Sequence, residues 1–300
     1  MFNSETKLYG IFGDPIKGSL SPEIHNYLFT QYHFNGIYLA FHVPREGLKK
    51  AVLGARSLGI QGFNITIPHK ERILDSLDGL DLKANQIGAV NTVKRVGDQL
   101  IGYNTDIVGF LVAFKDHFGV DLKGKRGAVL GSGGSARAIV YGLLEEGFSS
   151  ILLFNRTLKR ANRLIEDLIM NFQGVAMETH PLTEASLLKV LSQIDFLINT
   201  LPENAIRENP WILSSLEKAP KSLNFYDTNY RERMPFLGTK GKRQINPSSI
   251  FVEKARSLNL NAIGGLSMLV AQAVESFEIW TDHRADWKKV LNSVAVGRRK

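Results

Sequence analysis

The sequence predicts an α/β protein of two domains with a cleft between them. Three observations carry this. The chain has 300 residues, more than one small core can organise. From its start, short apolar runs alternate with helical patterns in a β-α-β-α-β order that implies a parallel sheet. Near residue 104 the pattern restarts with a second βαβ unit that carries its own glycine-rich turn.

Leu8 to Phe12 reads as a first strand ending in the turn Gly13-Asp14-Pro15. Ser21-Pro22 reads as N-cap and first residue of a helix that continues through Ile24, Tyr27 and Leu28. Tyr38 to Val43 is a second strand, and Leu48 to Leu58 a helix closed by Gly59. Phe63 to Ile67 is a third strand, with Phe63, Ile65 and Ile67 on one face and Asn64 and Thr66 on the other. After the restart come a helix from Ile107 to Phe118 and the strand Gly127 to Leu130. A glycine turn, a helix to about Glu146 and the strand Ile151 to Phe154 follow. Asp195 to Thr200 and Ser222 to Asp227 supply further strands. A last strong helix begins near Gly265, where Leu266, Leu269, Val270, Ala273, Phe277 and Trp280 recur at helical spacing.

Composition narrows the function classes. Hydrophobic residues make up 44% and charged residues 22%, the range of a globular rather than a disordered chain. No apolar run approaches the roughly 20 residues that span a bilayer, and Met1 to Lys7 carries no leader pattern. No membrane association and a cytoplasmic location are expected. Cysteine is absent, which excludes disulfides, thiolate metal sites and cysteine nucleophiles. The seven histidines show no i, i+4 pair, so no metal is expected. Of the formal charge of +8, most sits in the last turns of the chain. There Arg284, Lys288, Lys289, Arg298, Arg299 and Lys300 stand against Asp286 alone. This reads as a frayed, solvated C-terminus, and no nucleic-acid partner is expected.

Gly131-x-Gly133-Gly134-x-Ala136-x-Ala138 follows a buried strand and opens a helix, the context of a dinucleotide fingerprint. Gly131 permits the tight turn, and Gly133 lets backbone N–H groups approach a pyrophosphate. Gly134 or Ala138 allows close helix packing, and the helix N-terminus adds partial positive charge. A chain that binds NAD usually places Asp or Glu at the end of the next strand. Here the strand ends Asn155-Arg156-Thr157-Leu158-Lys159-Arg160, which holds three cations and no carboxylate. A guanidinium grips a 2′-phosphate through paired hydrogen bonds, so NADP is the expected cofactor of a Rossmann-type domain.

The other polar residues cluster in turns and at strand ends, where sites are usually built. They are Ser19 and Ser21; Asn64, Thr66 and Lys70; Asn91 and Thr92; and Asn104, Thr105 and Asp106. Singly each has a bland reading: Ser21 as a cap, Asn64 and Thr66 as the wet face of an edge strand, Asp106 as a helix cap, Lys70 as a surface lysine. Together they offer hydroxyls, amides, one cation and one carboxylate. That set suits a small polyhydroxylated acid better than an apolar ligand.

These residues resemble the shikimate 5-dehydrogenase family over roughly Leu8 to Thr281. The matching segments begin with Gly13-x-Pro15-Ile16-x-x-Ser19-x-Ser21-Pro22-x-x-His25-Asn26, Gly62-x-Asn64-Ile65-Thr66-x-Pro68-x-Lys70 and Gly88-Ala89-Val90-Asn91-Thr92. They continue with Gly102-x-Asn104-Thr105-Asp106-x-x-Gly109-Phe110, the Gly131 turn, Asn155-Arg156-Thr157, Asp227-x-x-Tyr230 and Met268-Leu269-Val270-x-Gln272-Ala273. The resemblance implies interconversion of shikimate and 3-dehydroshikimate with NADP, on the route to aromatic amino acids. It implies Lys70 and Asp106 at the reacting hydroxyl. Substrate contacts would fall to Ser19, Ser21, Asn64, Thr66, Asn91, Tyr230 and Gln272. Cofactor contacts would fall to Gly131, Ser132, Gly133, Gly134, Ser135, Asn155, Arg156, Thr157, Lys159, Arg160, Thr228 and Gly265. Residues 1–105 with 251–300 would form the substrate domain and 106–250 the NADP domain, with both crossings beside the cleft to permit hinge closure. Met268 and Gln272 would face the cleft while Leu269, Ala273 and Phe277 pack.

Hydride transfer from a secondary alcohol requires the hydroxyl proton to leave as well, and a lysine held beside an aspartate can accept it. Lys70 is expected as base, with Asp106 orienting it; which of a coupled pair takes the proton first stays open. Three positions depart from the family pattern. Gly18 stands where a histidine is usual, Glu203 lies in a loop that usually holds small residues, and Ser267 replaces a glycine, tolerable only at negative φ. A quinate/shikimate dehydrogenase using NAD or NADP stays open as an alternative, as does a non-catalytic dinucleotide sensor. A methylene-tetrahydrofolate dehydrogenase has a similar plan but suits these hydroxyls and amides less well. A homodimer is left open.

Overall fold

The computed structural model describes residues 2–233, 244–246 and 248–295. The chain divides into two compact units, Met1–Gly109 with Val270–Val294, and Phe110–Leu269 with Ala295–Lys300.

The first unit contains β1 (Lys7–Gly13), α1 (Ser21–Gln31), β2 (Gly36–His42), α2 (Leu48–Ser57) and β3 (Gly62–Ile65). It continues with β4 (Gly79–Leu80), α3 (Leu82–Ile87), β5 (Thr92–Val96) and β6 (Gln99–Tyr103). The sheet order is β2-β1-β3-β5-β6-β4. β1 pairs in parallel with β2 and β3, as the alternating pattern predicts. β5 then runs antiparallel to both β3 and β6. β3 is therefore an interior strand, not an edge, and all four of its residues are buried. That removes the bland alternative for Asn64, the wet face of an edge strand. Thr66 lies beyond the strand, in a turn where the His69 N–H donates to its carbonyl at 2.9 Å, and Ile67 is 54% exposed rather than in the core.

Two boundaries shift by one turn or less. Leu20, not Ser21, occupies the cap position of α1; Ser21 is already helical, and the Ser19 hydroxyl accepts its N–H at 3.3 Å. α2 ends one residue short of the expected Leu58, with Gly59 following it.

Helix α4 (Asp106–Phe118) carries the chain into the second unit. There follow β7 (Arg126–Leu130), α5 (Gly134–Glu145), β8 (Ser150–Asn155), α6 (Leu158–Ile169), β9 (Ala176–Pro181) and α7 (Glu184–Leu188). Next are β10 (Phe196–Asn199), α8 (Glu203–Arg207), α9 (Trp211–Ser215), β11 (Asn224–Asp227), β12 (Arg231–Arg233) and β13 (Gln244–Asn246). α10 (Ile250–Ser257), β14 (Asn261–Gly264), α11 (Leu266–Thr281) and α12 (Trp287–Ala295) complete the order. The sheet order β14-β11-β10-β7-β8-β9 is parallel throughout. This is the doubly wound arrangement, in which strand order reverses beside the first strand and ligands collect at the carboxyl ends there. The turns after β7 and β10 emerge at that point.

The expected return to the first domain at residue 251 falls at 270 instead. β14 pairs with β11, and Phe251, Val252, Ala255, Leu260 and Ala262 complete the core of the second unit. The other boundary falls at 109 rather than 105. The frayed C-terminus is also corrected. Residues 287–295 form α12, whose start is capped by Asp286 Oδ1 accepting the Lys288 N–H at 2.9 Å. Val290 is buried, and Ser293 bonds the Tyr27 hydroxyl at 2.9 Å. Arg298, Arg299 and Lys300 lie outside the described residues. No described helix is long and apolar enough to cross a membrane.

The seam between β3 and α11 gives a test of packing. A β-carbon on Gly62 would sit 2.4 Å from Trp280 Nε1, whose N–H donates to the Val93 carbonyl at 2.9 Å. Gly62→Ala should cost about 1–3 kcal/mol through overpacking and displacement of that bond. Gly54→Ala, in α2 with no atom within 4 Å of the new carbon, should be neutral or stabilising by up to about 1 kcal/mol. Urea unfolding of the two variants beside the parent would refute the packing argument if Gly62→Ala were as stable as Gly54→Ala.

Candidate active site

Lys70 and Asp106 meet. Lys70 Nζ lies 2.5 Å from Asp106 Oδ2, with both side chains largely buried. Lys70 follows the turn after β3, and Asp106 is the first residue of α4. The other carboxylate oxygen, Oδ1, accepts from Asn91 Nδ2 at 2.8 Å. Both oxygens are thus turned to the lysine and the amide, in place of the capping role that Asp106 could have had.

The polarity of the surrounding amides follows from one backbone group. The Thr105 N–H, which can only donate, reaches Asn91 Oδ1 at 2.7 Å. Asn91 must therefore point its nitrogen the other way, toward Asp106 and toward Gln272 Oε1 at 3.2 Å. Gln272 in turn must direct its oxygen at Asn91, which leaves its nitrogen on the far side. Asn64 is held as firmly. Its oxygen accepts from the Tyr38 hydroxyl at 2.6 Å, and its nitrogen faces Asn91 O, Thr92 Oγ1 and Ser276 Oγ at 3.1, 3.0 and 3.1 Å. Ser276 Oγ also lies 2.8 Å from Thr92 Oγ1 and 3.1 Å from Thr105 Oγ1. The result is a continuous buried network from Tyr38 to Lys70.

The network connects to the serine pair as well, since the Tyr38 phenol is hydrogen-bonded by Ser21, and burial raises its pKa well above the ordinary value. Ser19 is half-buried and Ser21 buried. His25, one turn along α1, stacks on Tyr38 at 4.3 Å and packs against Phe29 and Trp280. Neither of its ring nitrogens has a hydrogen-bond partner. Burial pushes its pKa down to about 3, opposed only partly by nearby Asn64.

In the second unit the glycine turn has the expected shape. Gly131 has φ +107°, a conformation that side chains rarely adopt, and a β-carbon there would lie 2.4 Å from Thr200 Oγ1. Gly133 is extended at the start of α5, with no atom within 4 Å of where a β-carbon would be. Ser132 is buried, whereas Gly134 and Ser135 lead into the helix. At the end of β8, Asn155 Nδ2 donates to the Thr157 carbonyl at 2.9 Å, which shapes the turn. Arg156, Thr157, Lys159 and Arg160 are all exposed beyond it. An open space beside the helix start and a cationic rim without a carboxylate fit a phosphorylated dinucleotide.

Thr228 and Gly265 touch. A β-carbon at 265 would lie 2.0 Å from the Thr228 carbonyl oxygen, so only glycine fits that crossing. Tyr230 is half-buried in the same turn. On α11 the expected packing is partly reversed: Met268 is buried and Leu269 only half-buried, while Gln272, Ala273 and Phe277 are buried.

The three departures have local explanations. Gly18 has φ +90°, where a histidine would be strained. Ser267 lies inside α11 and is absent from the positive-φ residues, so its side chain is tolerated. Glu203 sits in the first turn of α8 and pairs with Arg207 at 2.7 Å. Sequence reasoning missed Tyr38 and Ser276. Ser276 lies one turn past Gln272, the only signal it gave; Tyr38 gave none, being one aromatic among many in an apolar strand.

A parallel sheet with a glycine-rich first turn, joined in one chain to a lysine–aspartate site lined by amides and hydroxyls, defines a dinucleotide-dependent dehydrogenase. Family comparison gives the particular kind. The model of the shikimate dehydrogenase substrate-binding domain matches residues 11–93, that of shikimate/quinate 5-dehydrogenase residues 113–228, and that of the shikimate 5′-dehydrogenase C-terminal domain residues 265–294. A shikimate dehydrogenase (NADP(+)) of Caldanaerobacter subterraneus subsp. tengcongensis is 39% identical over 283 residues, covering 93% of each chain. The crystal structure of shikimate dehydrogenase from Aquifex aeolicus superposes with a TM-score of 0.84 at 33% identity, covering 98% of this chain and 99% of that one. A shikimate dehydrogenase crystallised in complex with NADP+ gives 0.81 at 32% identity, covering 98% and 96%. The chain belongs to the shikimate/quinate 5-dehydrogenase family.

The buried imidazole predicts an acid sensitivity. His25 binds no proton in the folded state above about pH 3, whereas the unfolded chain binds one below its ordinary 6.5. Stability is therefore unaffected by this group above 6.5 and falls as pH drops from 6.5 toward 3. The slope is about 1.4 kcal/mol per pH unit. His25→Phe, which keeps the aromatic stack, should remove that contribution. Thermal unfolding of both proteins between pH 7 and 4.5 should show their stability difference changing with this slope; parallel curves would mean His25 is not the group.

Proposed function

We infer that this enzyme catalyses the reversible NADP-dependent oxidation of shikimate to 3-dehydroshikimate, and that Lys70 and Asp106 act at the reacting hydroxyl. The observation that carries the assignment is the buried 2.5 Å pair, held by Asn91 within a network of amides and hydroxyls. Ser19, Ser21, Asn64, Thr66, Asn91, Tyr230 and Gln272 would contact the substrate. Asn64 turns its oxygen to the Tyr38 hydroxyl and its nitrogen into the network, so its part in this reading is to hold the amides and hydroxyls beside the substrate in place. Residues 1–109 and 270–294 form the substrate-binding unit in this reading.

The cofactor would be held by Gly131 to Ser135 at the pyrophosphate and by Asn155, Arg156, Thr157, Lys159 and Arg160 at the 2′-phosphate. Thr228 and Gly265 would lie at its other end. When bound, NADP+ supplies the acceptor for the hydride. Lys70 Nζ takes the hydroxyl proton as the carbinol carbon becomes a carbonyl, and in the reverse direction the Lys70 ammonium returns it to the developing alkoxide. Asp106 orients the lysine through Oδ2 while Asn91 keeps the carboxylate from turning. A cytoplasmic location and a homodimer belong to the same proposal, the second to be decided by sedimentation equilibrium.

Absorbance of reduced nicotinamide, with shikimate or quinate paired with NADP or NAD, tests the reading. Turnover confined to shikimate with NADP is expected; comparable quinate or NAD rates would favour a broader dehydrogenase, and binding without turnover a sensor. Lys70→Ala should lower kcat by about 10²–10⁴-fold with little change in KM for shikimate. Near-normal kcat with weakened binding would remove Lys70 from proton transfer. Arg156→Ala should raise KM for NADP by about 10-fold or more, the loss of a charge-assisted bond, and leave the rate with NAD unchanged.

A further inference from the structure

Asp227, the last residue of β11, is fully buried and takes no part in the chemistry above. Its Oδ1 accepts from Asn199 Nδ2 at 2.8 Å, from the Asn229 N–H at 3.1 Å and from Asn229 Nδ2 at 2.9 Å. Its Oδ2 accepts from the Ser249 hydroxyl. Burial pushes its carboxyl up from the usual range, and these donors pull against that.

The donors come from three separate segments. Asn199 ends β10, and its own amide brackets Leu201, accepting the Leu201 N–H at 3.1 Å and donating to the Leu201 carbonyl at 3.1 Å. Asn229 Nδ2 reaches the same carbonyl at 2.8 Å. Ser249 caps α10 by accepting the Val252 N–H at 3.2 Å. The turn after β11 is tied in at two more points: the Thr228 N–H donates to Asn199 O and the Gly265 N–H to Asn229 O, both at 3.0 Å. One carboxylate thus gathers the loop after β10, the turn Thr228 to Tyr230 and the start of α10.

We propose that Asp227 is a positioning residue for hydride transfer, acting through Thr228, Tyr230 and Gly265. The inference rests on the assignment of those three to bound cofactor and substrate. Because Oδ1 faces only N–H groups, an oxygen is required there, whereas Oδ2 faces a hydroxyl that can accept as well as donate. Asparagine can therefore replace the aspartate by placing its nitrogen against Ser249. Alanine cannot, and would leave several buried donors unsatisfied.

The test compares Asp227→Ala, Asp227→Asn and Asn229→Ala in the full chain. Each is measured for kcat, KM for shikimate and NADP, and affinity for adenosine 2′,5′-bisphosphate. That fragment carries the adenosine end alone and reports the Gly131 turn and Arg156. Asp227→Ala should lose about 100-fold in kcat, the scale of a misplaced reacting group, with fragment affinity unchanged. Asp227→Asn should recover most of the loss, and Asn229→Ala, which removes one side chain from the cluster, should show the same signature at smaller size. If Asp227→Ala does not fold, the other two variants carry the comparison. Normal kcat in Asp227→Ala or Asn229→Ala, loss of fragment binding in step with kcat, or failure of asparagine to rescue would each overturn the proposal. A parent enzyme that binds the fragment but turns over no shikimate would instead overturn the underlying assignment.

Discussion

The first unit depends on a single directional bond, the Thr105 N–H donated to Asn91 Oδ1. A backbone N–H cannot reverse its role, so this contact sets which end of the Asn91 amide faces Asp106, and through Asn91 which end of Gln272 faces inward. Asp106 then receives a donor on each oxygen, from Asn91 and from Lys70. A side-chain amide without such an anchor would have two nearly equal orientations. Buried polar networks are costly when half satisfied and rigid when complete. This one is closed by the three hydroxyls of Thr92, Thr105 and Ser276, each able to donate or accept as its neighbours require.

The second unit meets a different demand by different means. A pyrophosphate is recognised by backbone N–H groups and a helix end, so what matters there is room and chain direction rather than side-chain polarity. Gly131 supplies the turn and Gly133 the space, while side chains act at the cationic rim after β8 and, through Asp227, behind the turn Thr228 to Tyr230. The two sites therefore differ in how they fail. Around Lys70 and Asp106 side-chain truncation is the damaging change, and at the glycine turn after β7 it is addition of a β-carbon.

This difference explains what could be read from the residues alone. The glycine turn is local in sequence, and its strand–turn–helix context is legible within one βαβ unit. Lys70 and Asp106 were legible as a pair only through the family motifs, since 36 residues separate them and nothing in spacing brings them together. Residues 251–269 were misassigned because β14 belongs to the second sheet through pairing with β11, a long-range register that no local pattern encodes. That Asn64 is buried was not legible for the same reason: whether β3 has an outer neighbour depends on β5, nearly 30 residues on. Helix α12 did leave a signal, with Trp287, Val290, Leu291 and Val294 at i, i+3, i+4 and i+7, but the charges around it obscured the stripe. Ser276 left only its place one turn past Gln272 as a signal, because a hydroxyl in an apolar helix looks the same whether it faces a network or only bonds back to its own turn.

The three departures from the family pattern share one property that bears on activity. At Gly18 the backbone lies in the positive-φ region, where glycine is at ease and a histidine would be strained, and the hydroxyls of Ser19 and Ser21 follow it. Ser267 enters where helix α11 has already begun, and a β-carbon brings no backbone strain there. Glu203 brings a negative charge near the end of β10 together with its counter-ion, Arg207, one turn along the same short helix. Each change is taken up within a few residues of where it occurs. Asn91, Thr105 and Gln272, on which the Lys70–Asp106 pair depends, all stand as the family motifs have them. The Thr105 N–H to Asn91 Oδ1 bond that orients these side chains is touched by none of the three changes.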